Sequence, residues 1–186
     1  MSSFIKIAIV DDNRDIRNNL TELVDESANL KMVGVFENGR TAVEEIPRLK
    51  PDVVIMDIEL PGMDGVECVR QLKPILPEVN FLMLTVYEDS DRLFESLKAG
   101  AGGYLLKRTS STRLLQAIGE LQAGGSPMTP EIARRVTQFF SARQPAARSS
   151  NVELEQLTPG QKNFLNELAQ GYSYKEIADH LGITVH

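Results

Sequence analysis

The chain has 186 residues, 42% of them hydrophobic and 25% charged, with a net charge of −6. That is room for one medium domain plus a small one, in the composition of an ordinary globular protein. No run approaches the ~20 apolar residues of a membrane span, and a single cysteine, Cys68, excludes an intrachain disulfide. It also fits a reducing cytoplasm, and its place in a helical pattern reads as packing. No secretory leader is expected, because Met1-Ser2-Ser3-Phe4-Ile5-Lys6 lacks a basic-then-apolar pattern. The net charge lies entirely in residues 1 to 125, with 14 basic and 20 acidic side chains; the six basic and six acidic residues beyond them cancel. Neither part has the basic excess of a finished nucleic-acid surface.

In chain order, Phe4 to Val10 reads as a strand buried on both faces, and it ends on Asp11-Asp12. Asn13 is the expected N-cap of a helix carrying Ile16, Leu20, Leu23 and Val24 at helical spacing. Lys31 to Phe36 is a short strand, Asn38-Gly39 reads as a turn, and Arg40 to Leu49 is a helix that Pro47 must kink or shorten. Val53-Val54-Ile55-Met56 is a second fully apolar strand, stopping on Asp57. Pro61-Gly62 and Asp64-Gly65 then break the chain into a loop. Val66, Val69 and Leu72 outline a helix ended by Pro74 and Pro77. Val79 to Leu84 is a strand ending at Thr85, and Ser90 to Ala99 a helix stopped by Gly100. Gly103 to Leu106 is a fifth strand ending at Lys107. Ser110 to Gln122 is a helix with Leu114, Leu115, Ile118 and Leu121 inward, closed by Gly124-Gly125. Five strands alternating with five helices predict an α/β fold with a doubly wound parallel sheet.

Pro130 to Phe140 reads as one amphipathic helix and Ser141 to Asn151 as a linker. Thr158-Pro159 opens a further helix, with Thr as cap and Pro at the first helical position. Tyr174 to Leu181 is a second one, and Ile183-Thr184 begins an element that the chain does not finish.

Parallel strands deliver their C-terminal ends to one edge, where open α/β sheets bind ligands. Asp11, Asp12 and Asp57 should therefore converge there. Packed carboxylates repel and raise one another's pKa unless a cation sits among them, and an all-oxygen set suits Mg²⁺. Asp57 is then a candidate nucleophile for phosphoryl chemistry. If it became an acyl phosphate, Lys107 would neutralise the phosphoryl oxygens and Thr85 would hydrogen-bond one of them. Singly, Thr85 reads as an ordinary β-branched strand residue and Lys107 as a solvated loop end; together with three strand-end carboxylates they read as a site.

This set resembles the receiver domain of two-component response regulators over about residues 4 to 124. The motifs that carry the resemblance are Ile9-Val10-Asp11-Asp12, Val54 to Gly65, Leu84-Thr85 and Lys98 to Lys107. It implies a flavodoxin-like sheet in the order 2-1-3-4-5, with Asp57 phosphorylated by a sensor histidine kinase. It further implies Mg²⁺ held by Asp12, Asp57 and the backbone carbonyl of Glu59, with Asp11 contributing through water. Thr85 and Tyr104 would form a coupled switch: Thr85 moves toward the phosphoryl group and Tyr104 rotates inward, reshaping the face of the fourth helix, fifth strand and fifth helix. Glu59 and Tyr87, each two residues beyond a site residue, would stand at the mouth. No activity is expected beyond the chain's own phosphotransfer and autodephosphorylation.

The tail resembles the start of the helix-turn-helix output domain of the LuxR/NarL group, through Leu157-Thr158-Pro159, Leu168 to Gly171, Lys175 to Ala178 and Leu181 to Thr184. The expected organisation is a receiver domain at 1–125, a linker helix and flexible linker at 126–156, and an incomplete DNA-binding domain at 157–186. The recognition helix would open at Thr184-Val185-His186, so the chain reads as a fragment that holds the scaffold helices without the reader and should not bind DNA specifically. The complete protein is expected to be a DNA-binding transcription regulator in the cytoplasm, forming a homodimer on activation. Two alternatives stand beside it: a regulator acting by protein contacts alone, and a haloacid-dehalogenase-type phosphatase. The second would need an Asp where Glu59 stands.

Overall fold

The computed structural model describes residues 4–86 and 89–142, with the side chains of all but 140–142. The chain divides into two compact units, Met1–Thr129 and Pro130–His186. In the first unit β1 (Ile5–Val10), β2 (Leu30–Phe36), β3 (Val53–Met56), β4 (Asn80–Thr85) and β5 (Gly103–Leu106) alternate with α1 (Arg14–Asp25), α2 (Gly39–Leu49), α3 (Gly65–Leu72), α4 (Ser90–Ala99) and α5 (Ser111–Gln122). The sheet is wholly parallel in the order β2-β1-β3-β4-β5. This is the flavodoxin-like receiver arrangement expected from the sequence.

The strands form because they are apolar on both faces. Ile7, Ile9, Val53, Ile55, Leu82, Leu84 and Leu105 pack in one buried cluster with Leu20 and Val24 of α1 and Leu114, Ala117, Ile118 and Leu121 of α5. Alternation sends Ala8, Val10, Val54, Met56, Phe81 and Met83 to the opposite face, where they are equally buried. There α2 packs beside α3, and α3 beside α4. Each of the Val, Leu, Ile, Met and Phe side chains among them contributes roughly 1.5–3 kcal/mol relative to an exposed one.

Local chemistry sets the helix ends. Asn13 Oδ1 accepts from the N–H groups of Asp15 and Ile16, as expected of an N-cap. The Asn38-Gly39 turn proves to be the start of α2: Asn38 Oδ1 accepts the Thr41 N–H at 3.0 Å, and Gly39 is the first helical residue. Asn satisfies a turn and a helix cap by the same bond, so the dipeptide alone does not separate them. α2 ends two residues after Pro47, with Lys50 left-handed at φ 47. Gly100 closes α4 at φ 104.

The first unit continues past α5. Tyr104 N–H donates to the Pro127 carbonyl at 2.9 Å, and Thr129 N–H to the Tyr104 carbonyl at 3.3 Å. Pro127, Met128 and Thr129 are buried, and Met128 bridges to Tyr104 in parallel. Of the second unit, α6 (Pro130–Ala142) is described. The helix runs through Ser141 and Ala142, where the sequence predicted the start of the linker; the rest of that predicted linker and the expected helix-turn-helix segment, 157–186, lie outside the described residues. Among the described residues no helix is long and apolar enough to cross a membrane.

Candidate functional site

β1 and β3 are neighbours, with Val10 opposite Met56. The residues that follow, Asp11 and Asp57, therefore leave the sheet side by side, and Asp57 N–H donates to the Val10 carbonyl at 2.8 Å. Carboxylate oxygens of Asp11, Asp12 and Asp57 all lie within 4.8 Å of one another. Asp11 and Asp57 are 2% and 4% exposed, while Asp12 is open to solvent.

Lys107 follows β5 and reaches over the end of β4 to the acidic group. Its Nζ stands 2.7 Å from Asp11 Oδ2 and 2.8 Å from Asp57 Oδ2. Its backbone N–H is anchored on the Thr85 carbonyl at 2.8 Å. Burial raises the Asp57 pKa, the hydrogen bond and charge of Lys107 pull against that, and the Asp11 charge adds to the rise. Burial works to lower Lys107, but its bonds to Asp11 and Asp57 and their charges outweigh it, and its pKa is raised. Lys107 is therefore a firm cation set between the two carboxylates.

Three carboxylates against one ammonium leave two negative charges in a set of oxygen donors. That chemistry fits a divalent cation of the Mg²⁺ kind, with Asp11, Asp12 and Asp57 as the residues that would hold it.

Thr85 and Tyr104 share one face of the sheet. Met83 is in register with Tyr104 and Thr85 with Leu106, so Tyr104 lies diagonally behind Thr85, on the face opposite the α1–α5 cluster. Both are fully buried. The ring expected to rotate inward is thus already enclosed, with Pro127–Thr129 paired along its strand.

The loop after β3 is shaped by two glycines with different duties. Gly62 adopts φ 81. Gly65 does not; it is needed because an added Cβ would lie 1.9 Å from the Asp57 carbonyl oxygen. Glu59 is exposed on this loop. Tyr87, His180 and His186 lie outside the described residues.

One residue at the site escaped the sequence. Arg17 of α1 donates from Nη1 to the carbonyls of Asp11 at 2.7 Å and Asp12 at 2.8 Å. A basic residue on a helix ordinarily reads as solvated. The available signal was its place one turn into the helix that follows the acidic pair.

A family model described as response regulator receiver domain matches residues 7–119. The chain is 35% identical over 184 residues to the transcriptional regulatory protein LnrK of Bacillus subtilis (strain 168), covering 97% of this chain and 84% of that relative. It is 32% identical to the response regulator protein VraR of Staphylococcus aureus, covering 97% and 83%. A crystal structure of a LuxR-family two-component response regulator from Aurantimonas sp. SI85-9A1 superposes with a TM-score of 0.70 at 28% identity, covering 75% of this chain and 99% of that one. The chain belongs to the response regulator receiver family, and its relatives are transcriptional regulators of two-component systems.

Proposed function

We propose that Asp57 is the phospho-acceptor of a Mg²⁺-dependent switch, charged by a sensor histidine kinase and controlling a DNA-binding output segment. The observation that carries this reading is the Lys107 ammonium bridging Asp11 and Asp57 beside Asp12. The hydrogen bond and charge of Lys107 favour the Asp57 anion against the effect of burial, and an anion is the form that attacks. An Asp57 carboxylate oxygen forms a bond to phosphorus as the P–N bond of a phosphohistidine breaks. The departing imidazole leaves with the bonding electron pair and takes up a proton. A divalent cation among Asp11, Asp12 and Asp57, together with the Glu59 carbonyl, would neutralise charge on the transferring group.

Lys107 then pairs with a phosphoryl oxygen, and Thr85 reaches another through its hydroxyl. Because Tyr104 is enclosed from the start, the response is a repacking of Thr85, Tyr104 and the β5 edge, in place of a ring entering from solvent. That repacking changes the face formed by α4, β5 and α5, and homodimerisation on activation is the expected consequence. The chemistry of the chain is its own phosphorylation and dephosphorylation. Its place is the cytoplasm, beside the catalytic part of the kinase.

Intact mass after incubation with phosphoramidate and Mg²⁺ tests the reading. Wild type should gain one phosphoryl group, and neither Asp57→Asn nor wild type in EDTA should gain any. Equal labelling of Asp57→Asn would remove Asp57 from its role.

A further inference from the structure

The three carboxylates of the site are not held alike. Asp11 is fixed twice, by Lys107 at Oδ2 and by the Asn13 N–H, which donates to Oδ1 at 2.9 Å. Asp57 is held by Lys107 and by its place at the end of β3. The Asp12 carboxylate is exposed and has no hydrogen-bond or ion-pair partner among the described residues. Its direction therefore comes from its backbone.

That backbone is clamped from one side. Arg17 Nη1 spends both hydrogens on the consecutive carbonyls of Asp11 and Asp12, at 2.7 and 2.8 Å, and the side chain is only 14% exposed. The residue is itself steadied at both ends: its backbone N–H donates to the Asn13 carbonyl at 3.1 Å in the first turn of α1, and Nη2 of the guanidinium stands 3.9 Å from Glu37. Two successive peptide planes tied to one rigid nitrogen leave the turn little freedom, and Asp12 Cβ points where those planes send it.

We infer that Arg17 is a positioning residue for the cation site: it aims the Asp12 carboxylate by holding the Asp11 and Asp12 carbonyls, without touching the cation. The inference rests on the Mg²⁺ reading above. Partners that orient a metal ligand typically contribute 10- to 100-fold to metal affinity.

The test is Mg²⁺ binding to the unphosphorylated chain by isothermal titration calorimetry, so that no phosphotransfer enters the readout. Arg17→Gln should weaken binding about 10-fold, and Arg17→Lys, which keeps a donor without the fixed fork, should lose less. In an Asp12→Asn background the same Arg17→Gln change should have less than about a twofold effect, because the group it aims is gone. If Arg17→Gln does not fold, the comparison of Arg17→Lys with and without Asp12→Asn carries the same test. Wild-type affinity in Arg17→Gln, or an equal loss in the Asp12→Asn background, overturns the role of Arg17. Absence of Mg²⁺ binding by wild type overturns the cation reading itself, and the inference with it.

Discussion

A Cβ placed on Gly65 would lie 1.9 Å from the carbonyl oxygen of Asp57. The first residue of α3 and the end of β3 thus touch backbone to backbone, and Gly65 N–H donates to the Ile58 carbonyl at 2.8 Å. Gly65→Ala forces a backbone shift at the site and should cost about 2 kcal/mol or more, read as a lowered urea midpoint. Gly119, also helical, has open space around its Cβ position. Gly119→Ala should stabilise by about 0.5–1 kcal/mol. Equal responses of the two would contradict the close-approach account.

Asp57 carries a raised pKa because burial penalises its ionised form. With a folded value above the unfolded 3.8, the native state holds its proton longer, so stability falls as pH rises through that window and stays lower above it. Asp57→Asn removes this deficit and should stabilise the Mg²⁺-free chain at pH 7, read as a raised urea midpoint in EDTA. Lys107→Met has the opposite sign. It leaves Asp11 and Asp57 buried without their cation and should cost about 2–4 kcal/mol, measured by denaturant unfolding in EDTA.

The alternation of five strands with five helices and the convergence of Asp11, Asp57, Thr85 and Lys107 were legible because apolar runs, breaks and strand-end residues are local signals; the order of the strands in the sheet came from the resemblance to receiver domains. What escaped is contact between segments distant in sequence or hidden by an ambiguous residue type. Pro127–Thr129 has no alternating pattern, so nothing in it announces pairing with β5. Gly65 read as a loop residue that breaks the chain, whereas it opens α3 and the neighbouring Asp57 carbonyl is what demands it. Ser96, a polar residue in α4, is fully buried because its hydroxyl bonds the Arg92 carbonyl within the helix. Arg17 spends its charge on carbonyl groups, which a charge pattern does not show.

The pairing of Pro127–Thr129 with Tyr104 explains Gly103. A Cβ there would stand 2.9 Å from Pro127 Cγ and from the Pro127 carbonyl oxygen. Gly103→Val should therefore destabilise by about 1–3 kcal/mol and speed hydrogen exchange at the Tyr104 amide. Unchanged exchange there would mean that the pairing does not depend on the missing side chain.

Cys68 is fully buried, and burial pushes its pKa up to about 12, with the Asp64 and Glu67 charges adding to the rise. The thiol should stay inert to iodoacetamide in the native chain at pH 8, since the thiolate is the reactive form. Cys68 and Lys107 both bind protons more tightly folded than unfolded. Stability is therefore fully present below the unfolded values of 9.0 and 10.5 and is lost as pH rises beyond them. Cys68→Ala should flatten the loss between pH 9 and pH 10.5, as read from urea midpoints.

Borohydride reduction of the phosphorylated chain, followed by peptide mass mapping, tests the central claim most directly, because it converts an acyl-phosphorylated aspartate to homoserine and marks its position. Homoserine at position 57 alone, absent when Mg²⁺ is withheld, is the predicted result. Homoserine at position 11 or 12, or at none of the three, would contradict the assignment of Asp57 as the acceptor.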